Sequence, residues 1–458
     1  MRNMRTLARW MVLASLLIAG PPAFARSTDG SDGSTTEGRG ASQVTTSTRH
    51  QRQSALEQFD ELEEAMRVAR KRSDWRSYLI EAGQLKQFLN AAPDSLLELA
   101  RAEVHVDNQQ AALDELATYV RMGQSSAAIE NLREFASLRQ APAFKSIRAS
   151  LLENRRPLAQ SSSAFYLAAP RLLPEDIDYD APGKRFFITS ILGDKIVSTT
   201  GDRHLVEFAQ SPDHWPMVAL KIDSSRHLLW ATEVAMQGFA AVDPSDQGRS
   251  VILCYDLQTG KLLRRIEGPR PSDLGDMALT REGDVIVSDG DGGGIYRLPF
   301  NGKHLKRIDN GDFMSPQTVA VAADGVHVYV PDYVRGIGVL DTTTKRVRWL
   351  STQGRFALSG ADGLYLAGNR LIVVQNGISP QRIAIFTLDA SGTGIVTERI
   401  VERSTRSLGT PTHGVVAGSD FYYIANSGWD ALDESGQLKP GTTMPDPTVR
   451  RVSLQPSI

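Results

Sequence analysis

The stretch that decides the fold runs from residue 316 to 350, PQTVAVAADGVHVYVPDYVRGIGVLDTTTKRVRWL. It divides into four apolar runs: Pro316-Gln317-Thr318-Val319-Ala320-Val321, Val328-Tyr329-Val330-Pro331-Asp332, Ile337-Gly338-Val339-Leu340-Asp341 and Val347-Arg348-Trp349-Leu350. Short runs rich in β-branched and aromatic residues, parted by Asp, Gly and Thr, predict strands joined by tight turns. The pattern recurs five more times, and its copies open at Glu175, Val218, Gly275, Gln317, Asp362 and Thr412. Four strands in about 40 to 50 residues is the period of a propeller blade, so six copies predict an all-β six-bladed β-propeller over 157–458. The sixth copy ends at its third strand, Val449–Leu454, and Ser163–Leu167 is expected to supply the missing outer strand and close the ring.

Upstream the character changes. Residues 53–156 are rich in Ala, Leu, Glu, Gln and Arg, and Leu56, Phe59, Leu62 and Met66 recur at helical spacing. Pro93 with Asp94, Gly123 and Pro142 punctuate the helices, and Asp94 is the expected N-cap of the helix carrying Leu96. The segment Leu99 to Asn108, with Ala111-Ala112-Leu113 and Leu116, resembles a tetratricopeptide helix pair over about one repeat. Residues 26–52, rich in Ser, Thr and Gly, read as a disordered linker. Residues 1–25 read as a signal peptide: Arg2, Arg5 and Arg9, then apolar Trp10 to Gly20, then Ala23-Phe24-Ala25 as cleavage site. The apolar stretch is shorter than the roughly 20 residues of a membrane span, so the expectation is an exported protein, periplasmic or secreted, with no membrane span.

Composition narrows the function classes. The 458 residues carry 51 Lys+Arg against 53 Asp+Glu, a net charge of −2, which argues against nucleic acid as a partner. A single cysteine, Cys254, excludes an intrachain disulfide framework and a Cys-rich zinc site. Its place in Val251-Ile252-Leu253-Cys254-Tyr255 predicts a buried, unreactive thiol.

The repeat register points to a site. The start of each first strand and the end of each second strand lie at one mouth of the ring. The first column reads Glu175, Val218, Gly275, Gln317, Asp362, Thr412; the second reads Ser190, Glu233, Asp289, Asp332, Asn376, Asn426. Eight of these twelve are carboxylates or carboxamides, with Asp276 and His413 one position further on. A ring of oxygen ligands suits a hard divalent cation, while Asp and Asn at strand ends also cap turns. Asp289-Gly290-Asp291-Gly292-Gly293-Gly294 reads as a turn between two strands rather than a phosphate loop. Trp215, Met217, Met236, Phe239 and Trp429 are candidates for an apolar wall at the mouth.

Pro174-Glu175-Asp176-Ile177, Ala361-Asp362-Gly363-Leu364 and the sixfold repeat resemble the senescence-marker-protein (regucalcin)/gluconolactonase-like six-bladed propellers. In that family a Glu opening blade one, an Asn opening blade four and an Asp opening blade five hold a divalent metal that polarises a lactone carbonyl. The resemblance implies one metal (Ca, Zn or Mn) per chain, held by Glu175, Gln317 and Asp362. Gln317 replaces the family's Asn and moves the amide oxygen by roughly one C–C bond. On this reading Glu175, Asp362 and His413 are catalytic, and Glu233, Asp289, Asp332, Asn376 and Asn426 bind a small-molecule substrate. The expected function is a metal-dependent hydrolase of lactone or ester type. The alternative is a non-catalytic ligand- or protein-binding propeller whose helical module docks a protein partner. A metal-free propeller enzyme of the strictosidine-synthase-like type is a third reading by fold analogy.

Overall fold

In the computed structural model, residues 53–239, 242–433 and 435–455 are described. The expected signal peptide and linker lie outside the described residues. Six antiparallel sheets follow one another along the chain, and blades one to four are laid down wholly in sequence order from the axis outward. Their innermost strands are Pro174–Asp180, Met217–Asp223, Leu274–Leu279, Ala320–Val321, Ala361–Ala367 and Gly414–Ala417, and each touches the next around a closed ring. Ser162–Tyr166 pairs with Thr448–Ser453 and completes the sixth blade, one residue off the expected span. A strand the sequence did not signal, Leu158–Ala159, adds a fifth member to blade five, pairing with Glu402 and Arg403.

The period-2 pattern explains the ring. Successive side chains of a strand face opposite sides of its sheet, so each blade serves two neighbours. In Arg370–Gln375, Leu371 and Val373 join the apolar cluster shared with blade four, whereas Ile372 and Val374 join the one shared with blade six. Six such clusters lie between successive blades. Cys254 is buried in the one between blades two and three, where burial pushes its thiol up to about 12.

The helical region contains α1 (Ala55–Lys71), α2 (Trp75–Phe88), α3 (Pro93–His105), α4 (Gln109–Arg121), α5 (Ala127–Asn131) and α6 (Pro142–Asn154). Ser54 opens α1 with a capping box: its hydroxyl accepts from Glu57 N, and the Glu57 carboxylate accepts from Ser54 N. The expected cap of α3 is corrected: Ala92 takes the N-cap place and Asp94 lies inside the first turn. Pro93 at the first helical position sets that start, because its fixed φ suits the helix and its missing N–H costs nothing there. Helices α1 to α4 pack on one another in turn and α6 packs on α4, but neither of the two helical cores is complete alone. Met314 completes the core of α1 to α3, and Ala357 that of α3 to α6; both come from propeller loops.

Polar latches hold the two parts together. The Arg335 guanidinium stacks between Phe88 and Trp349 (4.3 and 4.4 Å to the ring centroids) and donates to Phe88 O. Ser125 N donates to Ser379 O (2.7 Å), and Ser379 Oγ donates back to Ser125 O (2.8 Å). Among the described residues no helix is long and apolar enough to cross a membrane.

Candidate functional site

Inner strands deliver the site. Four of them carry a register shift at their mouth end: Pro174/Ile177, Met217/Leu220, Leu274/Asp276 and Ala361/Gly363. Such bulges twist a strand and re-aim its side chains. In blades four and six the expected inner strands are shorter than read. Thr318 N there donates to Asp362 O and His413 N to Glu175 O, so these amides bond across to the next blade instead of along their own sheet.

Three side chains converge as a result. Glu175, Asp362 and His413 each offer one ligand atom, and these atoms lie within 4.8 Å of one another. They line a cavity of about 90 Å³ at the mouth, together with Asp276, Gln317 and Asn376. His413 is 1% exposed. Its Nε2 lies 3.1 Å from Asp276 Oδ1 and 3.7 Å from Asp362 Oδ1, yet neither ring nitrogen has a well-aligned hydrogen-bond partner. Burial disfavours the imidazolium, but the Asp276 and Asp362 carboxylates outweigh it and hold the proton well above the usual histidine range. Burial raises Glu175 to about 8, with Asp362 adding to it and His413 opposing, and raises Asp276 to about 6.

Both carboxylates of the triad are oriented from behind. Asn376 Nδ2 donates to Asp362 Oδ2 (2.6 Å) and to Pro411 O (2.9 Å), and Tyr333 OH donates to Asn376 Oδ1 (2.9 Å). Trp429 Nε1 donates to Glu175 Oε2 (2.5 Å). Supporting bonds of this kind fix the orientation of the ligands in metal sites. One layer deeper, Lys221 Nζ pairs with Asp176 Oδ2 at 2.6 Å.

The fit to a divalent cation rests on this chemistry. A buried cluster of carboxylates holding a proton on a poorly partnered histidine would hold a cation by the same attraction. One imidazole with two carboxylates suits zinc or manganese better than calcium, whose ligands are oxygens. Gln317 lines the same cavity but turns its amide nitrogen to Ser315 (Oγ 3.1 Å, O 3.3 Å), so His413 completes the close triad in its place.

Most of the second column does not converge on the cavity. Asp289 caps a turn, accepting from Asp273 N and Gly292 N (both 2.9 Å). Asp332 accepts from Met314, Ser315, Val334 and Arg335 backbone N–H groups. Asn426 bonds Thr448 N (2.7 Å) and Asp446 O (3.2 Å), and Glu233 accepts from Ser211 Oγ (2.5 Å) inside blade two. Free amides at strand ends capture Asp289, Asp332 and Asn426, and the Ser211 hydroxyl captures Glu233, before they reach the axis. Asn376 alone of the five lines the cavity. Of the proposed apolar wall, Met236 and Trp429 line it and Phe239 packs edge-on against Trp429, whereas Trp215 and Met217 are buried between blades one and two.

The repeat register missed Asp273, Asp291, Tyr333 and Thr410, which come from loops between strands. The Asp289–Gly294 segment is a turn, as read, but its Asp291 faces the cavity and is raised by burial and by Asp289 to about 7. Asp273 is raised well above its usual value by burial and by Asp291.

No family description and no curated relative matches the sequence. Among solved structures, the chain is similar to an aldose sugar dehydrogenase from Streptomyces coelicolor (12% identity, TM-score 0.44, 65% of this chain and 99% of that one). It is also similar to a virginiamycin B lyase from Staphylococcus aureus (14%, 0.42, 64% and 98%) and a gluconolactonase from Xanthomonas campestris (14%, 0.43, 66% and 99%). At these identities the likeness extends to the fold alone.

Proposed function

We propose that the chain is an exported, metal-dependent hydrolase that opens lactones or related esters at the propeller mouth. The observation that carries this reading is the buried triad Glu175, Asp362 and His413, with ligand atoms within 4.8 Å of one another. A divalent cation bound there supplies Lewis acidity to a carbonyl oxygen. Trp429 and Asn376 hold the two carboxylates in place for it. The carboxyls of Asp273 and Asp291, both raised by burial and Asp291 to about 7, line the same cavity and carry the proton. One of them takes a proton from the attacking water, whose oxygen bonds to the carbonyl carbon. The ring C–O bond then breaks, and the proton returns to the departing alkoxide oxygen, giving a hydroxy acid. The helical region lies against the mouth through Arg335, Ser125 and Ser379, which supports a part in enclosing ligand over that of a free docking module. Export rests on the Arg2–Ala25 leader pattern.

The test is metal content and turnover of a lactone panel with Zn²⁺, Mn²⁺ or Ca²⁺, for wild type and the Glu175→Gln/Asp362→Asn double variant. Loss of bound metal and at least a hundredfold loss of kcat/KM in the double variant are expected. Equal turnover by both proteins refutes the site.

A further inference from the structure

The acidic cavity opens into a second, larger space that no propeller blade builds alone. A cleft of about 630 Å³ lies between the helical region and the mouth. Tyr333, Asn376, Thr410 and Trp429 line both spaces, so the two adjoin at the residues that orient Glu175 and Asp362. The volume suits a ligand well beyond a single small ring.

The chemistry of the walls selects the ligand. From the helical region comes the partly exposed Leu132, with the buried Leu97, Tyr119 and Phe135 at the same wall, and opposite lie Ile378 and Trp429. The cations at the cleft are already engaged. Arg101 is held by Glu98 (3.2 Å) and by Glu134 (3.1 and 3.2 Å), and Lys439 Nζ donates to Asp430 O (2.8 Å). Asp94 lines the cleft on the helical side, where it is solvent-accessible, and the floor beyond Asn376 is carboxylate-rich. Asp94 and Asp430 line the cleft beside Arg101 and Lys439, so its charges are matched within the chain and ask for none from the ligand, and a strongly hydroxylated ligand finds mostly carbon.

We propose that the helical region is a wall of the binding site and that the ligand is an uncharged lactone or ester with an apolar substituent. The substituent lies in the cleft against Leu97, Phe135 and Ile378, and the ring lies over Glu175, Asp362 and His413. This assignment rests on the hydrolase reading for the reacting group only. Its test therefore uses equilibrium binding, so that the two fail separately.

The probes are non-hydrolysable 5-alkyl-2-pyrrolidinones with methyl, butyl and octyl substituents, titrated calorimetrically into the full chain. Affinity is expected to rise up to about threefold per methylene, the fold-change that buried apolar area gives. Ala127 is exposed and lines the cleft, so Ala127→Trp fills it from the helical side. That variant is expected to lose at least tenfold affinity for the octyl probe and none for the methyl probe. Ile378→Ser, on the propeller side, is expected to show the same selective loss and serves if the first variant folds poorly. Equal affinity across the alkyl series overturns the assignment. So does tighter binding of an octyl probe ending in a carboxylate or an ammonium. Selective octyl binding by a wild type that hydrolyses no lactone upholds the cleft and overturns the hydrolase reading.

Discussion

Arg382→Met is expected to destabilise the chain by about 3–5 kcal/mol, the usual cost of stripping a buried charge of its partner. Arg382 is fully buried on the third strand of blade five, Arg382–Leu388. Its Nε donates to Gln375 Oε1 (2.8 Å) and its Nη1 to Met122 O (3.2 Å) at the end of α4. Its Nη2 lies 3.2 Å from Glu398 Oε1, out of line for a hydrogen bond, and Glu398 is itself 12% exposed. Burial holds the guanidinium below its usual pKa, so the pairing does not fully offset desolvation. Next to it, Gly123 adopts φ +75°, and a Cβ there would sit 2.7 Å from Nη1. Met in place of Arg leaves the Glu398 carboxylate without its close counter-charge and the buried Gln375 Oε1 without this donor, while Met122 O keeps only Gln124 Nε2. With an unfolding entropy of roughly 2.1 cal/mol/K per residue over some 400 residues, the loss corresponds to a Tm drop of about 4–6 °C. Glu398→Leu added to Arg382→Met is expected to recover most of it, because an apolar pair of similar volume can match a buried ion pair. Denaturant unfolding and thermal melts of wild type, both single variants and the double variant form the cycle. A double variant no more stable than Arg382→Met, or a single-variant shift under about 1 °C, refutes the reasoning.

Two further outcomes follow from particular groups. Burial, with Asp213 adding to it, pushes Glu233 up to about 8 from an ordinary value of 4.5, so folding takes up a proton there. Its contribution to stability is complete below pH 4.5, shrinks as pH rises and is gone above about 8, falling by on the order of 1.4 kcal/mol for each pH unit in between. Glu233→Gln is expected to flatten the stability profile over that window, as read by urea unfolding at pH 5, 7 and 9; superimposable profiles contradict it. Trp429→Phe removes the donor to Glu175 Oε2 while keeping an aromatic wall. It is expected to weaken metal binding about tenfold by calorimetric titration, with little change in Tm without metal, and an unchanged affinity would separate Trp429 from the site.

The ring was legible because its signal is local and repeated: alternation inside each strand, then recurrence at the six openings from Glu175 to Thr412. Leu158–Ala159 escaped because two residues carry no period. All six positions of the first column, from Glu175 to Thr412, line the cavity, with His413 one place on, because the openings of the blades meet at the mouth. The second parts from the cavity at Asp289, Asp332 and Asn426 because a short polar side chain at a strand end bonds the nearest free amide, and at Glu233 because the Ser211 hydroxyl bonds it inside blade two. Asp273, Asp291, Tyr333 and Thr410 lie on loops of unequal length, where no register transfers between copies. The placement of the helices over the mouth depends on contacts such as Arg335–Phe88 and Arg382–Met122, across some 250 residues of sequence, which no local pattern encodes.

Closure of the ring sets an order of events in the life of the chain. Ser162–Tyr166 waits for Thr448–Ser453, which leaves the ribosome about 290 residues later, or some 15–60 s at ordinary synthesis rates. The helices wait as well, because Met314 and Ala357, which complete their cores, are made in between. A nascent chain therefore holds unfinished apolar surface until its last strand is made, a state open to chaperone capture and to threading through a translocation pore.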